Sequence, residues 1–144
     1  MVRFASGATN SHLTQMNWFL LAAGALAFIV GLAHSVLGER LIFRRMREGG
    51  VIPTNGARLI GEGHVRILWA SWHVLTVFGW CIGAILFWLS QGPPSIAHAF
   101  FANAIVVAMV AASALVFIGT KARHPGWAGL LSVAALTWLG TGAW

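Results

Sequence analysis

The stretch Arg66-Ile67-Leu68-Trp69-Ala70-Ser71-Trp72-His73 contains the transition that decides the fold of this 144-residue chain. An arginine is followed at once by apolar residues that continue to Leu89. This boundary is typical of a helix entering a bilayer, because a charged side chain is costly in hydrocarbon whereas about 20 apolar residues cross it. His73 lies about 10 Å of helix inside that boundary.

Three further apolar segments follow the same pattern. The chain is 58% hydrophobic and only 8% charged, whereas a soluble domain has roughly 25% charged residues. A bilayer offers no hydrogen bonds to the backbone, so the segments that cross it must be helices. The sequence therefore predicts an all-α, four-transmembrane-helix bundle in a single membrane domain, 1–144, with spans of approximately 18–38, 66–89, 96–118 and 125–144.

The positive charge is confined to two of the connections between these segments. In a soluble protein a net charge of +6 would suggest nucleic acid, but here eight of the nine basic residues lie in 39–66 and 119–125. The positive-inside rule places both connections in the cytoplasm, including the loop 39–65, and both termini outside. The predicted partner is therefore the lipid bilayer, with some affinity for anionic lipid and no role for nucleic acid.

Small residues repeat at helical spacing in several segments. Such stripes let neighbouring membrane helices approach closely, so we interpret them as packing faces within the bundle, in a homo-oligomer or in a larger membrane complex. Two flanking segments are interpreted differently: 1–17 as a short external tail and 39–47 as an amphipathic turn at the headgroups. The stripes are Ala23, Ala27, Gly31, His34 and Gly38, then Gly79 and Gly83, then Ala104, Ala108 and Ala111.

Most of the ionisable residues that could form a site lie near the predicted cytoplasmic boundary. His34 and His73 fall at a similar depth, roughly 9–15 Å from the nearest boundary arginines, on consecutive antiparallel helices. Buried polar groups in a membrane are costly and are therefore candidates for function. We expect a His-lined pocket formed by His34 and His73, with four further residues at its mouth: His64, His124, Glu39 and Glu62.

Four interpretations of these histidines remain open. They could be structural, bonding to a carbonyl or to Ser35, Ser71 or Thr76, or they could bind a transition-metal ion through neutral imidazoles. A b-type haem is a third interpretation, with Gly31 and Gly38 leaving room for the ring. The fourth is a quinone, lipid or proton site.

The numbers and motifs of its residues exclude several more specific functions for this chain. The chain has only three carboxylates, too few for a di-iron bundle with four. It contains no HExxH, GxSxG or P-loop motif, so no reaction is assigned. The alternative to a binding site is a non-catalytic accessory subunit with structural histidines.

Within one straight helix His34 and Glu39 point about 140° apart, so they would share an ion only if the helix broke at Gly38.

Three motifs together resemble those of a known group of proteins. They are His34-Ser35-Val36-Leu37-Gly38-Glu39-Arg40, the stretch 66–73 quoted above, and Arg123-His124-Pro125-Gly126-Trp127. The chain resembles, over all four spans, a group of small bacterial inner-membrane proteins of about this length. The resemblance implies a multi-pass protein of the bacterial inner membrane and carries over no activity, cofactor or catalytic residue.

Overall fold

The computed structural model describes residues 16–142, which form four α-helices and one short 3-10 helix. The prediction of an all-α chain is confirmed. Helix α2 begins four residues before the predicted span, because its first turn contains Glu62, His64 and Arg66 outside the apolar segment. The helices are α1 (Trp18–Leu41), the 3-10 helix (Phe43–Met46), α2 (Glu62–Gln91), α3 (Ile96–Gly119) and α4 (Gly126–Gly142).

Three of the four α-helices are long and apolar enough to cross a membrane. These are α1, α2 and α3, which have 24, 30 and 24 residues. The described part of α4 has 17 residues, about 25 Å of helix at 1.5 Å per residue. A fourth crossing and the N-out/C-out orientation therefore stay predictions.

Helix α1 is the central element of the packing. It lies against α2 on one side and α4 on the other, and α4 in turn packs against α3. Direct contact between α2 and α3 is slight, although a short turn joins them. The buried core is built from all four helices, with Leu20, Leu86, Ile105 and Val133 among its members.

Helices α1 and α2 pack closely where Gly24 lies against Gly83. A Cβ on Gly83 would lie 2.7 Å from the Phe28 ring and 3.1 Å from the Gly24 carbonyl oxygen. Gly79, the other residue of the predicted GxxxG pair, has open space around it. Only one glycine of that pair therefore belongs to the interface.

The small-residue stripes of α1 and α3 have different surroundings. The α1 stripe is largely buried, as predicted. The α3 stripe, Ala104, Ala108 and Ala111, is exposed instead, and its interpretation as a packing face within the bundle is wrong. The side of α3 that is buried carries Ala102, Ile105, Met109 and Ser113.

Asn17 closes the bundle at the end opposite the arginine-rich connections. Its side-chain oxygen accepts the N–H of Leu20 at 3.2 Å, and its amide donates to the Gly140 carbonyl at 2.8 Å. Its backbone N–H donates to the Ser90 carbonyl at 2.8 Å. Asn17 is buried, so it belongs to the packed bundle rather than to the predicted tail, of which 1–15 lie outside the described residues.

The segment after α1 folds back against the bundle. Phe43 in the 3-10 helix is fully buried, whereas Arg44 and Arg45 are exposed. The segment 39–47 is therefore amphipathic, as predicted, and its location at the headgroups stays a prediction. The backbone N–H groups of Thr54 and Asn55 both donate to the Met46 carbonyl, which holds the following loop close to the 3-10 helix.

Candidate functional site

The candidate site is built on the contact between Trp72 of α2 and the last turns of α1. The Trp72 indole N–H donates to the His34 carbonyl at 3.0 Å. A Cβ on Gly38 would overlap the same indole, so the glycine provides the space in which the ring lies. This contact fixes the rotation of α2 and brings the histidines of both helices to one level.

His34 packs face to face with Trp72. The ring centroids are 4.2 Å apart and the planes differ by 7°. The His34 Nε2 atom is buried and has no hydrogen-bond partner within residues 16–142. His34 is thus a half-buried imidazole with one nitrogen left unsatisfied by the described part of the chain.

His73 is oriented by a residue of α1. Its Nδ1 atom lies 2.6 Å from the Ser35 hydroxyl, and its Nε2 atom lies 3.9 Å from Oε2 of Glu39. Trp69 packs edge-on against the ring, with centroids 4.9 Å apart. The serine therefore fixes one nitrogen of His73 while the other is directed toward a carboxylate.

Glu39 also connects the site to the loop that follows. Its Oε1 atom lies 2.5 Å from Nη1 of Arg47 in an ion pair. The Arg47 Nε donates to the Val51 carbonyl at 2.6 Å. The ring of Phe43 packs edge-on against the indole of Trp72, with the ring centroids 5.7 Å apart. The carboxylate is thus held between His73 and an arginine.

The remaining predicted residues are placed differently. His124 is exposed, and its Nδ1 accepts the N–H of Gly126 at the start of α4. Glu62 pairs with Arg66 in the first turn of α2, with His64 exposed beside it. His73 and Glu39 therefore come together, and His34 lies beside them on α1 without a described contact to either. His124, Glu62 and His64 join no described contact of this cluster.

The ligand geometry of this cluster is incomplete. Residues 16–142 contain no group of three or more His, Cys, Asp or Glu side chains arranged to hold a metal ion. Helix α1 runs unbroken past Gly38 to Leu41, so His34 and Glu39 diverge as expected for a straight helix. The pair that converges is His73 and Glu39, one residue from each helix.

The space that the haem interpretation needed is filled. The two glycines invoked to make room for a macrocycle each face a tryptophan of α2: Gly38 faces Trp72, and Gly31 faces Trp80. The Trp80 N–H donates to the Phe28 carbonyl at 3.3 Å. These indoles occupy the gaps along α1, so the argument for haem from Gly31 and Gly38 is lost.

Three residues of the site were missed by reasoning from the sequence. Trp72 was treated only as part of the apolar segment, and Phe43 and Arg47 only as parts of an amphipathic turn. A signal for Phe43 was present, since it is an aromatic residue followed directly by Arg44 and Arg45. The contact of Arg47 with Glu39 depends on the fold of the loop and had no signal in the local pattern.

Comparison with protein-family models, with curated proteins and with solved structures finds no match for this chain.

Proposed function

We propose that this chain is a small integral protein of the bacterial inner membrane, oriented N-out and C-out, that binds a transition-metal ion near its cytoplasmic surface. His73 and Glu39 are the proposed core ligands, with His34 as the third. The observation that carries this proposal is the orientation of His73. Its Nδ1 contacts Ser35 and its Nε2 faces the Glu39 carboxylate at 3.9 Å.

The chemistry of these donors suits such an ion. Imidazole nitrogen binds Zn, Cu, Fe and Ni, and a carboxylate oxygen completes mixed sites. A ligating histidine is usually fixed through its other ring nitrogen by an outer partner, the position that Ser35 occupies. The Nε2 atom of His34 could serve as a further nitrogen ligand. It is buried without a hydrogen-bond partner, which costs folding free energy. A bound cation would satisfy it.

The basic surroundings of the site set a condition on binding. Arg47 already neutralises one oxygen of Glu39, and a second cation beside it would be disfavoured unless the ion is held by several ligands. The site therefore favours an ion that takes neutral nitrogen donors over Mg²⁺ or Ca²⁺, which require mainly oxygen ligands.

The test is metal content after purification in detergent. Protein exposed to Zn²⁺ or Ni²⁺ and then desalted is expected to retain one ion per chain by elemental analysis. His73→Ala, Glu39→Gln and His34→Ala should lose it. His98→Ala is the matched control, because His98 also stacks on a tryptophan and contacts a serine, but lies against Trp88 and Ser95. Retention of no ion by the wild type, or full retention by His73→Ala, would refute the proposal.

A second candidate function is supported by the stacking of His34. Face-to-face contact with Trp72, together with the bonds of Trp72 and Trp80 to α1 carbonyls, is what a purely structural histidine requires. In that case the chain is a non-catalytic accessory subunit of a larger membrane complex. The purified protein would then bind no metal, and His34→Ala would lower its thermal stability.

A further inference from the structure

An open cavity of about 380 Å³ lies beside the first turns of α2, and one of its lining residues, Trp69, also packs against His73. It is formed between the start of that helix and the preceding loop. Arg66 is its charged lining residue, and the other residues that line it are apolar or small: Ile52, Gly63, Ile67, Trp69 and Ala70. We propose that this cavity holds the phosphate headgroup of an anionic phospholipid, with an acyl chain running along α2 toward the membrane interior.

The arrangement of polar and apolar lining supports an amphipathic occupant. Arg66 lies at the edge of the apolar segment, and Ile67 and Ala70 follow it into the predicted span. A free anion would use the arginine and leave the apolar wall uncovered. A phospholipid covers both, since its headgroup lies at the depth where boundary arginines occur and its acyl chain continues inward.

Arg66 keeps donors available for such a headgroup. Its Nε and Nη2 donate to Oε1 of Glu62 at 2.9 and 2.5 Å, and no described contact uses Nη1. An arginine has five N–H donors in a planar fork, so one edge can bind the carboxylate while another binds a phosphate. Glu62 does not line the cavity, but its negative charge opposes an anion there.

The surrounding charge favours an anionic lipid over a zwitterionic one. Residues 39–66 contain six arginines and three glutamates, a surplus of three positive charges. Within the described residues, four arginines are exposed and form no ion pair: Arg40, Arg44, Arg45 and Arg58. Each basic residue next to a membrane strengthens the binding of anionic lipid by about fivefold.

Gly63 allows the cavity to be blocked without disturbing the fold. A Cβ at this position would meet nothing within 4 Å, so a larger side chain would project into the open space beside Arg66. Leucine also has a better helix propensity than glycine. Gly79→Leu is a matched control, since Gly79 lies on the same helix, has equally open surroundings and does not line the cavity.

The experiment is native mass spectrometry of the detergent-purified full chain with added phosphatidylglycerol, phosphatidylcholine or inorganic phosphate. The wild type is expected to retain one phosphatidylglycerol in preference to phosphatidylcholine. Arg66→Gln should weaken this binding about fivefold, the equivalent of one interfacial charge. Gly63→Leu should abolish it, Gly79→Leu and Arg123→Gln should leave it unchanged, and Glu62→Gln should strengthen it.

Three results would overturn the inference. Equal binding of phosphatidylcholine would remove the role of charge, and displacement of the lipid by inorganic phosphate alone would indicate a simple anion site. Equal weakening by Gly63→Leu and Gly79→Leu would show that the lipid binds elsewhere on α2. Circular dichroism of each variant checks that the helices remain folded, and none of these residues belongs to the proposed metal ligands.

Discussion

The indole of Trp72 lies over Gly38 and donates its N–H to the carbonyl of His34, four residues earlier in the same turn region of α1. Trp80 makes the same kind of contact further along the two helices. Its indole lies over Gly31 and donates its N–H to the carbonyl of Phe28. In both cases a glycine removes the side chain that would cover a helix carbonyl. The carbonyl can then accept a second hydrogen bond from the neighbouring helix, which sets the register between α1 and α2.

Gly38→Ala is expected to destabilise the protein, because the added methyl would overlap the Trp72 indole. Overpacking of this kind typically costs about 1–3 kcal/mol. Gly79→Ala, in open surroundings on α2, should be neutral or slightly stabilising through its better helix propensity. Thermal unfolding in detergent gives the melting temperature of each variant. Equal melting temperatures would contradict the close packing of Trp72 against Gly38.

Trp72→Phe should keep an aromatic ring against His34 but remove the hydrogen bond to its carbonyl. The expected loss is about 0.5–1.5 kcal/mol of unfolding free energy, the net contribution of one hydrogen bond. Trp80→Phe should cost less, since its bond is longer, 3.3 Å against 3.0 Å, and more exposed. Denaturation of the two variants under one condition compares them directly; a larger loss for Trp80→Phe would reverse the order that these distances predict.

The helical character of the chain could be predicted because it depends on apolar length alone, which any window of the sequence displays. The common level of His34 and His73 also follows from counting residues along antiparallel helices. What each imidazole contacts could not be predicted in this way. It depends on the rotation of α2 about its axis, and that rotation is set by two tryptophans that pack against glycines 34 and 49 residues earlier in the chain.

The α3 stripe shows why a small-residue pattern can mislead. Ala104, Ala108 and Ala111 follow helical spacing as well as Ala102, Ile105 and Met109 do, and both sets are apolar. In a soluble helix, polarity distinguishes the buried side from the exposed one. A membrane helix can be apolar all round, so nothing in α3 marks which side faces α4 and which is left exposed.

Asn17→Ala is expected to be among the more destabilising polar substitutions in the described chain. It removes the cap of α1 and the amide that donates to Gly140, both in a buried position. Loss of a cap costs about 1 kcal/mol and loss of a buried partner about 1–3 kcal/mol. Ser95→Ala is the control, because Ser95 caps α3 in an exposed position. Unfolding measurements that find the two substitutions equally costly would show that the contact with Gly140 contributes little.

Ser35→Ala tests the orientation of His73 without removing any proposed ligand. If the hydroxyl fixes the imidazole so that Nε2 faces Glu39, its loss should weaken metal binding about 10- to 100-fold, the usual effect of deleting an outer partner. Ser71→Ala, an exposed serine of α2, should leave the affinity unchanged. Zn²⁺ competition with a chromophoric chelator measures both variants. Because ligand histidines must be neutral, binding by the wild type should also weaken on acidification. If Ser35→Ala binds Zn²⁺ as tightly as the wild type, His73 does not need this hydroxyl to direct Nε2 toward a metal ion. The orientation of His73 by Ser35 would then no longer support the proposed metal site.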